Sequence, residues 1–175
     1  MKNLISFGLC ILLLGSCGFI QIMPKRTESF EKYRSQLEND TNSFYKTVDY
    51  QEFIKPLADS TFLITWAPWC PHSALLLKDL QYLIPAKGKP NWVLICTSYD
   101  LEAIENVTKE TPKVKPFCKN ILDGEKYGSI ELDRMRNISS KLIDSAMTFT
   151  PVIYFKSQGS FKVVNKKFLF NHAIK

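Results

Sequence analysis

The chain has 175 residues, 45% hydrophobic and 23% charged, which is enough apolar side chain for one packed domain and too much for a disordered polypeptide. Its net charge is +6, and the densest basic stretch, Lys109, Lys113, Lys115 and Lys119, has no interleaved aromatics and no nucleic-acid motif. It reads as a solvated loop, and no nucleic acid is expected as a partner. Five cysteines with only His72 and His172 give no metal-ligand spacing, so neither a metal nor a cofactor is expected.

Lys2 precedes an apolar run, "LISFGLCILLLGSC", that is short for a membrane span and suited to the core of a signal peptide. The end of the run, Leu14-Gly15-Ser16-Cys17, resembles the bacterial lipobox. That resemblance implies a signal peptide over 1–16 and a lipidated Cys17. The protein would then be a lipoprotein of the bacterial cell envelope, held to a membrane through its lipid and facing the periplasm or the exterior. The alternatives are a single transmembrane anchor, or an ordinary cleaved signal that leaves Cys17 free. Residues 17–46 are polar and read as a tether, with one helix expected from about Ser29 to Asn39 carrying Phe30, Tyr33 and Leu37 on a stripe.

The domain proper is expected over 47–175. Asp49 with Glu52 forms a capping-box pattern for a short helix. "STFLITWA" reads as a strand buried on both faces. In "CPHSALLLKDLQYLI" Pro71 stands at the first helical position and Leu76, Leu80 and Leu83 follow at helical spacing. "WVLICTSYD" is a second strand and "LEAIENVTKE" a second helix, an order that implies a parallel strand pair. Residues 111–128 read as loop with a short strand at "FCKNIL", followed by a helix over Glu131–Ser145. "TPVIYFKSQGSFKVV" is a hairpin about a glycine turn, and "KKFLFNHAIK" a closing helix.

With Trp66-Ala67-Pro68-Trp69-Cys70 at the tip of the first strand and Thr150-Pro151 opening the hairpin, the stretch Thr47–Val164 resembles the thioredoxin superfamily. The resemblance implies a thioredoxin-like α/β fold, a central mixed sheet flanked by helices. It also implies a cis bond before Pro151, beside the active cysteine, and pairing of the Thr150 backbone with an extended substrate. Pro71-His72 is the dipeptide that the periplasmic disulfide-oxidase family carries between its two cysteines. Here the fourth position is Ser73, so no disulfide can form within the motif. The buried acid that thioredoxins carry six residues before the nucleophile is Ile64.

Independently of any resemblance, unpaired N–H groups and the positive dipole end of a helix's first turn favour a thiolate at Cys70, and His72 can add a charge or a donor. The candidate catalytic residues are therefore Cys70, His72 and Ser73. The candidate substrate-binding residues are Trp69, Pro71, Thr150 and Pro151. A single thiolate can attack a disulfide, but release of the adduct then needs a thiol from elsewhere. The partners expected are thiol- or disulfide-containing proteins or small thiols. Monothiol exchange is one reading, a redox-inactive peptide- or protein-binding module a second, and a purely structural domain a third. Cys118 is a candidate resolving thiol only if its loop lies near the site; Cys96 reads as core.

Overall fold

The first strand explains the rest of the architecture, because every residue of Phe62–Trp66 is buried. A strand with both faces covered must have a partner on each edge and a layer on each side. The computed structural model describes residues 54–84, 91–119 and 131–173. The expected signal, the lipidation site Cys17, the tether, its helix and the Asp49–Glu52 capping box lie outside these residues.

The elements in chain order are β1 (Phe62–Trp66), α1 (Pro71–Leu83), β2 (Trp92–Cys96), α2 (Leu101–Glu110), a 3₁₀ turn (Lys115–Phe117), β3 (Cys118–Lys119), α3 (Glu131–Ile143), β4 (Val152–Ser157), β5 (Ser160–Val164) and α4 (Lys166–Ala173). They form one five-stranded sheet in the order β3-β2-β1-β4-β5. β1 pairs parallel with β2, with Ile64 opposite Leu94, and antiparallel with β4, with Thr65 opposite Val152. The expected parallel pair, hairpin and closing helix are all present. Of "FCKNIL", Cys118–Lys119 is strand, and the remainder from Asn120 is outside the described residues.

The strand period of two sorts the apolar residues into two cores. Phe62, Ile64 and Trp66 point to one face with Leu94, Cys96 and Ile153, and are covered by Leu76, Leu77 and Leu80 of α1 and Leu169 of α4. Leu63 points to the other face with Val93, Ile95, Val152 and Tyr154, and is covered by Ile138 and Leu142 of α3. Trp66 and Cys96 are both fully buried, so each is a core residue. Full burial of a single leucine such as Leu77 is worth roughly 1.5–3 kcal/mol.

Local chemistry sets the boundaries. Asp100 accepts the Ala103 amide at 3.0 Å and starts α2, and Asn165 accepts the Phe168 amide at 2.8 Å to start α4. The β4–β5 turn places Gln158 at φ 53 and Gly159 at φ 77. Two successive positive φ angles give the primed turn whose twist matches a two-residue hairpin.

Tyr154 is 1% exposed. Burial pushes its phenol far above the usual tyrosine range, and a hydrogen bond with Ser139 opposes the shift. The folded protein thus holds this proton more tightly than the unfolded chain. The contribution is fully present below the unfolded value of about 10 and is lost as pH rises beyond it. Urea denaturation across the alkaline range should show wild-type stability falling above about pH 10 more steeply than that of Tyr154→Phe, which carries no ionisable phenol.

Candidate functional site

Cys70 is the N-cap of α1, with extended backbone angles (φ −93°, ψ 114°), and Pro71 follows inside the first turn. Proline suits this position because its missing N–H has no partner to lose there. The turn leading to it closes when the Cys70 amide donates to Ala67 O at 3.1 Å, and the helix begins when the Ala74 amide donates to Cys70 O at 3.2 Å. The cysteine therefore sits at the tip of β1, where the sequence places it.

Its sulfur is engaged differently from the sequence expectation. The side chain makes no capping bond with the first turn of α1. Instead Sγ donates to Thr150 O at 3.1 Å across 80 residues of sequence. Cys70 is 5% exposed, and the bond Thr150–Pro151 is cis. The cysteine and the proline corner thus form one site, as the resemblance implies, with the thiol held against the carbonyl before the proline.

Ser73 is fully buried. Its Oγ accepts the Ala67 amide at 3.2 Å and lies 3.5 Å from Thr150 Oγ1. The Thr150 hydroxyl donates to Thr65 O at 3.1 Å, and a carbonyl can only accept. The proton between the two hydroxyls therefore belongs to Ser73, and both of its bonds are committed away from the sulfur. Thr65 adds a further tie, since its Oγ1 accepts the Val152 amide at 3.3 Å.

The other expected residues surround this centre. Trp69 is half-buried, Pro71 and His72 are exposed, and Pro151 is half-buried. His72 and Pro151 line an open groove of about 310 Å³ with Leu75, Leu76, Phe149, Val164 and Lys166. Leu75 is 59% exposed and Phe149 55%, so the groove presents apolar surface to solvent. Lys166, at its rim, is ion-paired with Asp79.

Cys96 stands opposite Trp66, the last residue of β1, but is fully buried in the apolar core with it. Cys118 is 1% exposed on β3, opposite Leu94 of β2, with Sγ 3.6 Å from Val114 O. Ile64, where thioredoxins have their buried acid, is fully buried within the apolar core.

Thr65, Leu75 and Phe149 were not singled out by sequence. Each carries a signal nonetheless. Thr65 is the one polar residue in the otherwise apolar "FLITW", Leu75 lies off the buried Leu76–Leu80–Leu83 stripe, and Phe149 directly precedes Thr150.

The sheet order, the cysteine at the β1–α1 junction and the cis-proline corner define a thioredoxin-like α/β fold. Among solved structures the chain is similar to a thioredoxin-related protein from Neisseria meningitidis serogroup B, with a TM-score of 0.51 and 16% identity, over 74% of this chain and 91% of that one. At that identity the likeness is one of fold. No protein-family model matches the chain, and no curated protein does.

Replacing Thr65 by the near-isosteric valine removes the Oγ1 that accepts the Val152 amide. Losing one hydrogen bond costs about 0.5–1.5 kcal/mol, and Thr65→Val should lose that much unfolding free energy in urea titrations.

Proposed function

We propose that this protein carries out thiol-disulfide exchange through the single thiol of Cys70, from a lipid anchor at Cys17 in the bacterial cell envelope. The observation that carries the reading is the approach of Cys70 Sγ to the Thr150 carbonyl at a cis-proline corner. That carbonyl lies beside an apolar groove where the chain flanking a substrate sulfur can rest.

In the first step Cys70 gives its proton to solvent and the thiolate attacks one sulfur of a substrate disulfide. The Cys70–substrate S–S bond forms, the substrate S–S bond breaks, and the departing thiolate takes up a proton. No net oxidation occurs, since one disulfide replaces another. In the second step a thiol of the substrate, or a free small thiol, attacks the adduct and regenerates Cys70. Ser73 offers no sulfur for this, and Cys96 and Cys118 are buried at 0% and 1% exposure in their strands. Release therefore depends on an outside thiol. In a dithiol site the resolving group is already positioned, which gives it an effective concentration far above that of any free thiol. The mixed disulfide of this protein should be correspondingly long-lived.

His72 stands exposed at the second position of α1, on the rim of the groove. Its role in this reading is to present a donor or a charge to the incoming or departing sulfur. Trp69, Pro71, Thr150 and Pro151 form the surface over which the substrate chain lies.

A second reading is favoured by one observation. Cys70 is 5% exposed and its sulfur already hydrogen-bonded, while Leu75 and Phe149 of the groove are open to solvent. A module that grips a peptide or protein in the groove without turnover would look the same.

Incubating the full-length chain with oxidised glutathione and with a disulfide-bonded peptide separates the two. Exchange predicts a mixed disulfide at Cys70, seen by mass spectrometry, that persists until a thiol is added and is absent in Cys70→Ala. Ser73→Cys should shorten its lifetime by supplying an internal resolving thiol. If neither disulfide gives an adduct and Cys70→Ala binds the peptide as well as wild type does, the binding module stands and the enzyme does not. The anchor has its own check, because metabolic labelling with a palmitate analogue should disappear in Cys17→Ala.

A further inference from the structure

Ser73 replaces the sulfur that a dithiol site would have, yet it is not a spectator. It is fully buried, it is the third residue of α1, and its hydroxyl is bonded on both sides. On one side it receives the Ala67 amide, and the carbonyl of that same Ala67 receives the Cys70 amide at 3.1 Å. The turn that carries Cys70 is thereby tied to the helix that follows it. On the other side Ser73 donates to the Thr150 hydroxyl, and the carbonyl of that same Thr150 receives the Cys70 thiol. Two residues that hold Cys70, one by its backbone and one by its sulfur, are thus both held by Ser73.

We propose that Ser73 is a positioning residue for Cys70: its hydroxyl joins the Ala67 turn to Thr150 and so keeps the Cys70 thiol against the Thr150 carbonyl. The proposal rests on the reading of Cys70 as the reactive group, and it adds a regulatory property to it. Cys70 is 5% exposed, so a thiol held in that contact is shielded from a disulfide in solution. Ser73 therefore keeps the sulfur capped until the corner is displaced, as when a bound chain competes for the Thr150 backbone.

Oxygen suits this task better than the sulfur it replaces. A thiol is a weak donor and a weak acceptor, and its larger radius cannot reproduce a 3.2 Å bond to the Ala67 amide. The contact with Thr150 is long at 3.5 Å, so the tie to Ala67 is the stronger of the two. Neither bond touches Cys70 itself. Ser73 acts only through its neighbours, which distinguishes it from a group that stabilises the thiolate directly.

The test is iodoacetamide labelling of the full-length reduced protein at neutral pH, with each cysteine-containing peptide quantified by mass spectrometry. Cys96, which is fully buried, serves as an internal gauge of general loosening. Ser73→Ala should label at Cys70 ~5-fold faster than wild type, about the effect of losing one ordinary hydrogen bond, with Cys96 unchanged. Thr150→Val, which keeps the carbonyl but removes the hydroxyl that meets both Ser73 and Thr65 O, should speed Cys70 alone and by at least as much. It carries the test if Ser73→Ala fails to fold. Labelling of Cys70 at the wild-type rate in the folded variants overturns the proposal. So does a parallel rise at Cys70 and Cys96, which would make Ser73 a residue of general stability. A wild-type protein that forms no mixed disulfide overturns the proposed function instead, and it does so in a different assay.

Discussion

The site depends on the antiparallel pairing of β1 with β4. Residues 65 and 152 stand opposite one another, and Thr65 secures the end of that ladder with both of its oxygens. Its carbonyl takes the Thr150 hydroxyl and its hydroxyl takes the Val152 amide. This fixes the proline corner at the tip of the strand that leads directly into Cys70. Without it the two halves of the site, 80 residues apart in sequence, have no reason to meet. A polar residue inside a strand buried on both faces is expensive unless fully paired. Thr65 is paired, and the pairing is what assembles the site.

The order of elements was legible because apolar periodicity and turn residues report on local structure. The continuous run of β1, the Leu76–Leu80–Leu83 stripe of α1 and the glycine of the hairpin each announce one element and its exposed or buried face. Cys70 at the head of α1 was legible for the same reason, since Pro71 marks a first turn. The meeting of Cys70 with Thr150–Pro151 was implied by resemblance and not by any local pattern.

What sequence did not convey was the direction of individual hydrogen bonds. A cysteine at a helix start suggests a sulfur turned toward the free amides of the first turn. Here the sulfur turns to a carbonyl contributed by a distant strand end. Likewise, a serine in place of a second cysteine reads as a loss when only the missing sulfur is considered. Its burial and its bonds to Ala67 and Thr150 depend on tertiary packing, which no window of sequence contains. The groove escaped notice for a related reason: Leu75 and Phe149 come from separate elements and become one surface only after α1 and β4 are brought together.

The long separation between the cysteine and its carbonyl also gives the site a history. Thr150 leaves the ribosome 80 residues after Cys70, which at roughly 5–20 residues per second is an interval of about 4–16 s. During that time the corner that later covers Cys70 has not been made, and the cysteine is an uncovered thiol open to whatever oxidant or disulfide it meets. Chemistry on the sulfur at that stage would precede closure of the corner and leave the Thr150 carbonyl without its donor. The order in which the chain is made thus bears on which state of the cysteine the finished protein contains.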